Sequence, residues 1–325
     1  MTIVVRVHAH GGPEVLQIED EEVGAPGEGE VKIRHEAIGL NYLDTYYRTG
    51  LYNAPNGLPL TPGNEGAGTV VSVGAGVSRF RAGDRVAYVG GLGAYAAERL
   101  ISADSLVRLP DEIDFKTGAA MMLKGLTAQY LLRQTFRVER GQTILFHAAA
   151  GGVGLIACQW AKHLGATVIG TVGSADKAEL AKAHGCTHTI NYREEDFVAR
   201  VKDITDGRLC DVVYDSVGQS TYPGSLDCLK PRGMWVSFGQ SSGPIKDFNL
   251  ALLAQKGSLY ACRPTLFSYI AKRESLQAMA DDLFHVVASG FVKIEVNQEF
   301  ALKDVADAHR ALEGRATTGA TVLVP

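Results

Sequence analysis

The fold is decided by the stretch Thr-Ile-Leu-Phe-His-Ala-Ala-Ala-Gly-Gly-Val-Gly at residues 143–154 and by the segment that follows it. Thr143–Phe146 is a short apolar run typical of a buried strand. We expect a helix over Leu155–Leu164 and a second strand over Ala166–Val172. This order is typical of a unit that binds a dinucleotide, because the glycines let the backbone approach the pyrophosphate and the helix N-terminus faces its charge.

The glycine turn departs from the usual Gly-x-Gly-x-x-Gly spacing, since it has Ala148, Gly151 and Gly154 at three-residue intervals. The strand before it and the helix after it nevertheless favour phosphate binding. The alternative is a glycine-rich turn between buried strands that binds nothing. The predicted phosphate-binding residues are those in the centre of the turn: Ala150, Gly151, Gly152 and Val153.

The end of the second strand favours NADPH over NADH. Sites for NADH usually carry an acid there to hold the ribose hydroxyls, and this chain has Gly173-Ser174 instead. Ser174 and Lys177 offer a hydroxyl and a cation for a 2′-phosphate, and Gly173 leaves room. Asp176 is expected to face solvent early in the next helix. The alternative is that Ser174 only caps this helix and Lys177 is solvated.

Composition narrows the class of protein. The 325 residues are enough for two domains or one large one. The net charge of −4 argues against partners that are nucleic acids or anionic membranes. No apolar run approaches the ~20 residues of a membrane helix, and residues 1–7 are typical of a first strand, so we expect a cytoplasmic protein. The five cysteines form no C-x-x-C pair and fit a reducing compartment without disulfides.

The chain changes character near Phe115. Before it, short alternating runs such as Val31–Ala37, Gly68–Gly74 and Asp84–Val89 predict a mainly β domain, in the form of a partly closed barrel. After it, helices alternate with strands, which predicts a doubly wound parallel sheet of the Rossmann type. The piece after about Tyr269 is expected to return to the first domain.

Further strands are predicted at Asp211–Gly218, Gly233–Gly239 and Leu259–Cys262. Ligands of parallel sheets bind at the carboxyl ends of the strands, where these runs end in glycines or loops. The segment Ala183–His188 contains two histidines and a cysteine, and we interpret it as an exposed turn instead of a metal site.

Several motifs together resemble the medium-chain dehydrogenase/reductase superfamily and, within it, the zinc-free NADPH:quinone oxidoreductases, the zeta-crystallin-like group. The resemblance covers essentially the whole chain. It implies a GroES-like catalytic domain at residues 1–124 with 267–325 and a Rossmann domain at residues 125–266. The motifs that carry it lie at residues 39–44, 62–68, 148–154, 191–195, 214–218, 237–239 and 315–317.

The chain departs from the alcohol dehydrogenase branch at its zinc ligands. That branch uses a cysteine and a histidine where this chain has Asn41 and Asn64, and amides are poor zinc ligands. The structural zinc lobe needs four cysteines, and none precedes Cys158. We therefore expect neither zinc site. Without zinc, a hydride acceptor that delocalises its own charge is favoured, such as a quinone or an α,β-unsaturated carbonyl.

The catalytic residues implied by the resemblance are hydrogen-bond donors at the domain junction: Asn41, Tyr46, Tyr52 and Asn64. A quinone could stack on the tyrosine rings. The alternative for the tyrosines at 42, 46, 47 and 52 is an aromatic surface loop used in packing or dimer contact. Asp44 is equally suited to cap a helix or to act chemically.

The resemblance and the strand-end rule also imply cofactor contacts outside the glycine turn. Lys124 and Thr127 are expected near the cofactor, at the start of a helix that links the domains. An ion pair with a carboxylate is the alternative for Arg263. The remaining predicted cofactor-binding residues are Gly173, Ser174, Lys177, Tyr192, Ser216, Phe238, Gly239, Ser241, Arg263 and Arg315.

The expected activity is hydride transfer from NADPH to a quinone, without zinc, in the cleft between the two domains. One alternative is an NADPH-dependent enone or 2-alkenal reductase. Another is a non-catalytic NADPH-binding protein with a sensing, structural or RNA-binding role. We also expect a homodimer, with the strand at Leu259–Cys262 as the sheet edge that pairs across the two-fold axis.

Overall fold

The computed structural model describes residues 1–314 and 316–325. They divide into two compact units. Unit 1 consists of Met1–Lys124, Ala271–Phe284 and Ile294–Pro325. Unit 2 consists of Gly125–Ile270 and His285–Lys293.

The strands of the described residues alternate with turns in unit 1 and with helices in unit 2. They are β1 (Thr2–Val7), β2 (Leu16–Glu21), β3 (Glu30–Leu40), β4 (Glu65–Val73), β5 (Arg85–Val89), β6 (Glu98–Ser102), β7 (Leu106–Arg108), β8 (Thr143–Phe146), β9 (Thr167–Val172), β10 (His188–Asn191), β11 (Cys210–Asp215), β12 (Leu229–Ser237), β13 (Tyr260–Cys262), β14 (Val296–Ala301) and β15 (Ala320–Val324).

The helices range from a single turn to sixteen residues. They are α1 (Tyr42–Arg48), α2 (Phe115–Tyr130), α3 (Gly152–His163), α4 (Ala175–Ala183), α5 (Phe197–Ile204), α6 (Gly224–Asp227), α7 (Ala251–Gln255), α8 (Leu266–Tyr269), α9 (Arg273–Ala288) and α10 (Val305–Glu313). A π-helical turn at Leu131–Thr135 follows α2 directly.

Unit 2 is built on a six-stranded parallel sheet with the order β10-β9-β8-β11-β12-β13. The central strand β8 is almost entirely buried, as expected for a strand covered on both faces. The order reverses beside β8, so a crevice opens at the carboxyl ends of β8 and β11, where such sheets bind ligands. The predicted Rossmann-type sheet is confirmed. The helix after the glycine turn begins at Gly152, three residues before the position predicted for it.

Unit 1 is built on a seven-stranded sheet with the order β14-β15-β3-β4-β5-β7, in which β6 pairs with β3. All its pairs are antiparallel except β14 with β15. The first half of β3 alternates between buried and less buried residues, which is why its sequence predicted a half-buried strand. The predicted mainly β, GroES-like domain is confirmed. Together with the parallel sheet and helices of unit 2, it confirms the predicted α/β fold class.

Each unit has its own hydrophobic core. In unit 1, side chains such as Val5, Ile33 and Leu106 fill the space enclosed by the curved sheet. In unit 2, Leu145 and Trp235 belong to a core between the parallel sheet and its helices. Because each core is continuous within its unit, each unit provides a rigid support for the polar groups at its rim.

The segment after α4 differs from the predicted exposed turn. His184 and Cys186 are both buried, and the Nδ1 atom of His184 lies 2.8 Å from the carbonyl oxygen of Leu180. The turn is compact because Gly185 has a φ of +103° and lies against the backbone of Cys158. These residues therefore pack the C-terminal end of α4 against α3.

Candidate cofactor-binding and active-site residues

The glycine turn of unit 2 is tightly closed against the start of α3. Ala148 has a φ of +55°, and the backbone N–H of Gly151 donates to its carbonyl oxygen over 2.9 Å. A Cβ atom on Gly154 would lie 2.5 Å from that oxygen, so only glycine fits there. The first N–H groups of α3 have no carbonyl before them in the helix and are available to an anion. Ala150 directly precedes the N-cap Gly151, and Val153 lies in the first turn of α3.

The end of β9 places Ser174 and Lys177 on the same turn. Ser174 is the N-cap of α4, and its hydroxyl oxygen accepts the backbone N–H of Lys177 over 3.3 Å. Capping leaves the hydroxyl proton available to a ligand, so this role is compatible with phosphate binding. Asp176 is exposed in the first turn, as expected. The room at Gly173 is used by Tyr192, whose hydroxyl oxygen would lie 2.6 Å from a Cβ at that glycine.

The loop after β11 is held by Asp215, which the sequence analysis did not single out. One carboxylate oxygen accepts the backbone N–H groups of Val217 and Gly218 over 2.8 and 3.1 Å. Burial raises the pKa of Asp215, but the nearby His147 and the hydrogen bond from Thr221 outweigh it, so the pKa is lowered. An aspartate three residues before a loop glycine, as Asp215 is before Gly218, is a common turn signal that could have revealed this role.

The strand ends of unit 2 also form a pocket of about 370 Å³. Its lining combines apolar rings, such as Trp235 and Phe248, with Gly239 and Arg263 from the predicted set. Arg263 donates through Nη1 to the carbonyl oxygen of Ser237 over 2.8 Å, so its partner is not the carboxylate considered as an alternative. The mixture of apolar walls and few polar groups is typical of a small-molecule site.

The other predicted cofactor residues of unit 2 lie near these strand ends in different ways. Ser216 packs against Gly239, where a Cβ would lie 2.6 Å from its carbonyl oxygen. The Phe238 ring lies 5.7 Å from that of Phe146 on β8. Ser241 is exposed. Arg315 lies outside the described residues.

In unit 1, the N-terminus of α1 is organised by Asn41 and Asp44. Asn41 is the N-cap, and its backbone N–H donates to Oδ2 of Asp44 over 2.9 Å. Asp44 is therefore the third residue of the helix and supports the cap as its reciprocal partner, instead of being the cap residue itself. The side-chain amide of Asn41 donates to Oε1 of Glu65 over 2.8 Å.

Glu65 is the buried centre of this cluster and was missed from the sequence. Its Oε1 also accepts the ammonium of Lys124 over 2.7 Å, and its Oε2 accepts the backbone N–H of Leu123 over 2.6 Å. Its side chain is 0% exposed and that of Lys124 is 8% exposed. A Cβ on Gly39 would lie 2.3 Å from Glu65 Oε1, so this glycine makes the space for the carboxylate.

Asp44 ends a chain of buried hydrogen bonds. The hydroxyl of Tyr95 donates to its Oδ2 over 2.8 Å and lies 3.0 Å from Nε2 of His309. The guanidinium of Arg48 donates to Nδ1 of His309 over 2.9 Å and pairs with Glu313. Burial lowers the pKa of His309 to about 3, so the ring is neutral and its Nε2–H donates to Tyr95.

The carboxyl of Asp44 is the least satisfied group in this series of buried hydrogen bonds. Its Oδ1 is buried and has no hydrogen-bond partner among the described residues. Burial raises the pKa of Asp44 to about 7, although Tyr95, the backbone of Asn41 and the Lys124 charge act in the opposite direction. Its ionisation therefore falls in the neutral range.

The other predicted catalytic residues of unit 1 are Tyr46 and Tyr52, whose rings lie close together, and Asn64. The rings of Tyr46 and Tyr52 lie 5.2 Å apart, and Tyr47 meets Tyr52 edge-on at 5.9 Å. Asn64 donates through Nδ2 to the carbonyl oxygen of Gly90 over 2.9 Å. Its Oδ1 is buried without a partner in the described part of the chain.

The structure brings together the predicted residues Asn41 and Lys124 through Glu65. Lys124 and Thr127 lie in the second half of α2 and not at the start of the linking helix, as the sequence analysis had them. The prediction of their position was wrong because α2 already begins at Phe115, where the composition of the chain first changes. Within residues 1–314 and 316–325, no group of three or more histidine, cysteine or acidic side chains could hold a metal.

Two further findings concern the chain as a whole. All five cysteines are free thiols, as predicted. No helix in the described ranges is long and apolar enough to cross a membrane.

Two protein-family profiles match the chain. A profile described as "Alcohol dehydrogenase GroES-like domain" matches residues 27–111, within unit 1. A profile described as "Zinc-binding dehydrogenase" matches residues 152–284, which begin at the N-terminus of α3.

Characterised relatives match over the whole length. A quinone oxidoreductase of Pseudomonas aeruginosa is 58% identical over 322 residues, with 99% of each chain covered. A 2-haloacrylate reductase of a Burkholderia species is 44% identical and covers 100% of this chain and 99% of its own. The crystal structure of Escherichia coli quinone oxidoreductase complexed with NADPH superposes with a TM-score of 0.97 at 52% identity, covering 99% of this chain and 100% of that one.

Proposed function

Because the chain belongs to the quinone oxidoreductase family of the medium-chain dehydrogenase/reductase superfamily, we propose that it reduces quinones with NADPH and without zinc. The observation that supports the proposal is the presence of Asn41 and Asn64 and the hydrogen bonds that their side chains donate. These amides stand where the alcohol dehydrogenase branch has zinc ligands, and both direct their N–H groups at oxygen acceptors within unit 1. The site is therefore one of hydrogen-bond donors.

NADPH fits the groups that unit 2 provides. The closed turn at Ala148–Gly154 offers the N-terminus of α3 to a pyrophosphate, and Ser174 with Lys177 offers a hydroxyl and a cation to a 2′-phosphate. The E. coli relative was crystallised with NADPH. When bound, the nicotinamide supplies a hydride to the acceptor.

The residues of unit 1 act on the acceptor. Hydride addition to a quinone leaves a delocalised hydroquinone anion, which a few fixed donors stabilise. Asn41 supplies one such donor, and the rings of Tyr46 and Tyr52 offer flat surfaces on which a quinone stacks. Water then protonates the anion, so no side chain of the protein has to transfer the proton.

The test is NADPH oxidation by a panel of acceptors that contains a benzoquinone, a naphthoquinone and a 2-alkenal. The proposal expects the two quinones to have the highest kcat/KM, with hydroquinone recovered in amounts equal to the NADPH consumed. Tight NADPH binding without turnover of any acceptor would contradict it and favour the non-catalytic alternative.

A second candidate function is reduction of an activated carbon–carbon double bond. The 2-haloacrylate reductase, which is 44% identical over the full length, favours it. The same donors would hold the enolate that forms when hydride adds to the β-carbon of such an acid or carbonyl. A kcat/KM for 2-alkenals or 2-haloacrylates well above that for quinones would establish this function in place of the first.

We also propose that two copies of the chain form a homodimer through β13. This strand is the last of the parallel sheet, it pairs with β12 on one side, and its Tyr260 is 58% exposed. An edge with unpaired backbone groups favours pairing with a second copy. Light scattering should give twice the chain mass of 34.7 kDa, and Ala261→Pro, which removes a backbone N–H from this strand, should shift it toward the monomer. A wild-type monomer would contradict the proposal.

The cellular location that we propose is the cytoplasm. The five free thiols fit a compartment that keeps cysteines reduced. Fractionation of cells that express the chain should recover it with cytoplasmic markers, and recovery from a membrane or secreted fraction would contradict this location.

A further inference from the structure

The buried ion pair between Lys124 and Glu65 in unit 1 includes N–H donors that the carboxylate does not use. Glu65 accepts three hydrogen bonds, from the Asn41 amide, the Lys124 ammonium and the Leu123 backbone. An ammonium has three N–H groups, and the carboxylate is the one partner that Lys124 has in the described part of the chain. Because Lys124 is 8% exposed on its side chain, its other donors are largely withdrawn from water.

The two nitrogen atoms converge on one point. The Nζ of Lys124 and the Nδ2 of Asn41 are bound to the same atom, Oε1 of Glu65, at 2.7 and 2.8 Å. Both therefore donate to the same oxygen, and each keeps N–H groups that the carboxylate does not use. Groups arranged in this way bind an oxygen that becomes negative during a reaction.

The pair is costly as a purely structural feature. Removing an ammonium and a carboxylate from water costs several kcal/mol for each ion, and apolar residues of similar size often stabilise a fold as well or better. The carboxylate compensates the charge of Lys124 in the resting site. A second negative oxygen would then be stabilised by two polarised donors that need little rearrangement.

Given the proposed function, on which this inference rests, we propose that Lys124 and Asn41 bind the acceptor oxygen that becomes negative, and that Glu65 is the positioning residue for both. Lys124 is then a catalytic residue, whereas the resemblance had suggested a cofactor contact. In the step concerned, the bound nicotinamide would lose hydride from a C–H bond and be oxidised, the hydride would bond to one end of the conjugated quinone system, and its two electrons would convert the C=O at the other end to C–O⁻. A proton from water then completes the hydroquinone.

The test compares variants of the buried ion pair with the same changes in an exposed ion pair. Lys124→Met removes the ammonium, and Glu65→Gln removes the charge that holds it. The controls are Lys116→Met and Glu299→Gln, because Lys116 lies on the same helix α2 and forms an exposed ion pair with Glu299 at 2.6 Å.

Three quantities are measured for each variant: the Kd of NADPH by its fluorescence, the thermal unfolding temperature, and kcat and KM for a series of acceptors. We expect Lys124→Met to lower kcat about 100-fold, the usual size for loss of one oxyanion donor. Lys124→Arg, which keeps a cation, should recover part of this loss. The NADPH Kd should stay within about twofold, and both controls should match the wild type.

The decisive result is the dependence on the acceptor. If Lys124 stabilises developing charge, its removal slows acceptors that form basic, localised anions, such as 2-alkenals, more than quinones whose reduced anions are weakly basic. An equal loss for all acceptors, or a loss that follows a weakened NADPH Kd, would overturn the inference. Wild-type protein that reduces no acceptor would instead refute the proposed function, so the two failures are distinguishable.

Discussion

Substitution of Asp44 by asparagine should change how the stability of the protein depends on pH. Asparagine has the same shape, and its side-chain oxygen can still accept the backbone N–H of Asn41 and the hydroxyl of Tyr95. Its amide nitrogen takes the position of the carboxylate oxygen that has no partner. The variant therefore removes the ionisation and keeps the hydrogen bonds.

The size of the effect follows from the pKa of Asp44, which burial raises from 3.8 to about 7. The fold favours the protonated carboxyl, so its contribution is fully present below pH about 4 and is lost as the pH rises through about 7. A rise of about three in this pKa changes the free energy of unfolding by about 4 kcal/mol. About 2.5 kcal/mol of this change occurs between pH 5 and pH 8. The neighbouring charges partly cancel, since Lys124 lowers this pKa and Glu65 raises it.

The assay is urea unfolding of the wild type and of Asp44→Asn at pH 5 and pH 8. We expect the free energy of unfolding of the wild type to fall by about 2.5 kcal/mol more than that of the variant between these two pH values. The control Asp20→Asn, at an exposed position of β2, should follow the wild type. The same change for wild type and Asp44→Asn would refute the assignment of this pKa to burial.

Three further variants test other parts of the site. Combined Ser174→Ala and Lys177→Ala should raise the Kd of NADPH at least tenfold more than that of NADH in equilibrium titrations, because only NADPH carries the 2′-phosphate; equal weakening would contradict this role. Tyr52→Phe, which removes the hydroxyl donor and keeps the ring, should lower kcat for quinones severalfold and leave NADPH affinity unchanged; unchanged kinetics would contradict a role for the hydroxyl. Gly154→Ala would place a Cβ atom 2.5 Å from the carbonyl oxygen of Ala148. It should therefore lower the free energy of unfolding by about 1–3 kcal/mol and weaken NADPH binding in the same titrations. Wild-type stability and affinity would refute the close packing.

The fold could be predicted from the sequence because its signals are local. The apolar runs before and after the glycine turn set β8 and β9 to within one residue. Period-two alternation located β3 and β4 less closely, since one end of each strand extends three residues beyond the predicted run. The start of α3 was predicted less well, because Gly152 is a poor helix former that here occupies the first helical position, next to the proposed phosphate site.

The site could be predicted only in part, because its organisation depends on contacts distant in sequence. Asn41 and Lys124 were singled out separately, but the carboxylate of Glu65 that joins them comes from a different strand. Likewise, Tyr95 and His309 meet across 214 residues of chain, and no periodicity or spacing records that contact. Buried acids of this kind have no local signature, since their partners come from the tertiary fold.

The central claim is that this chain reduces quinones with NADPH and needs no zinc. The most direct measurement is the loss of reduced-nicotinamide absorbance with a benzoquinone, using NADPH or NADH, before and after dialysis against a zinc chelator. We predict quinone-dependent oxidation with a much higher kcat/KM for NADPH than for NADH, and the same rate after dialysis. Activity that is lost on dialysis and restored by zinc would contradict the role assigned to Asn41 and Asn64, and no oxidation by the quinone would contradict the function itself.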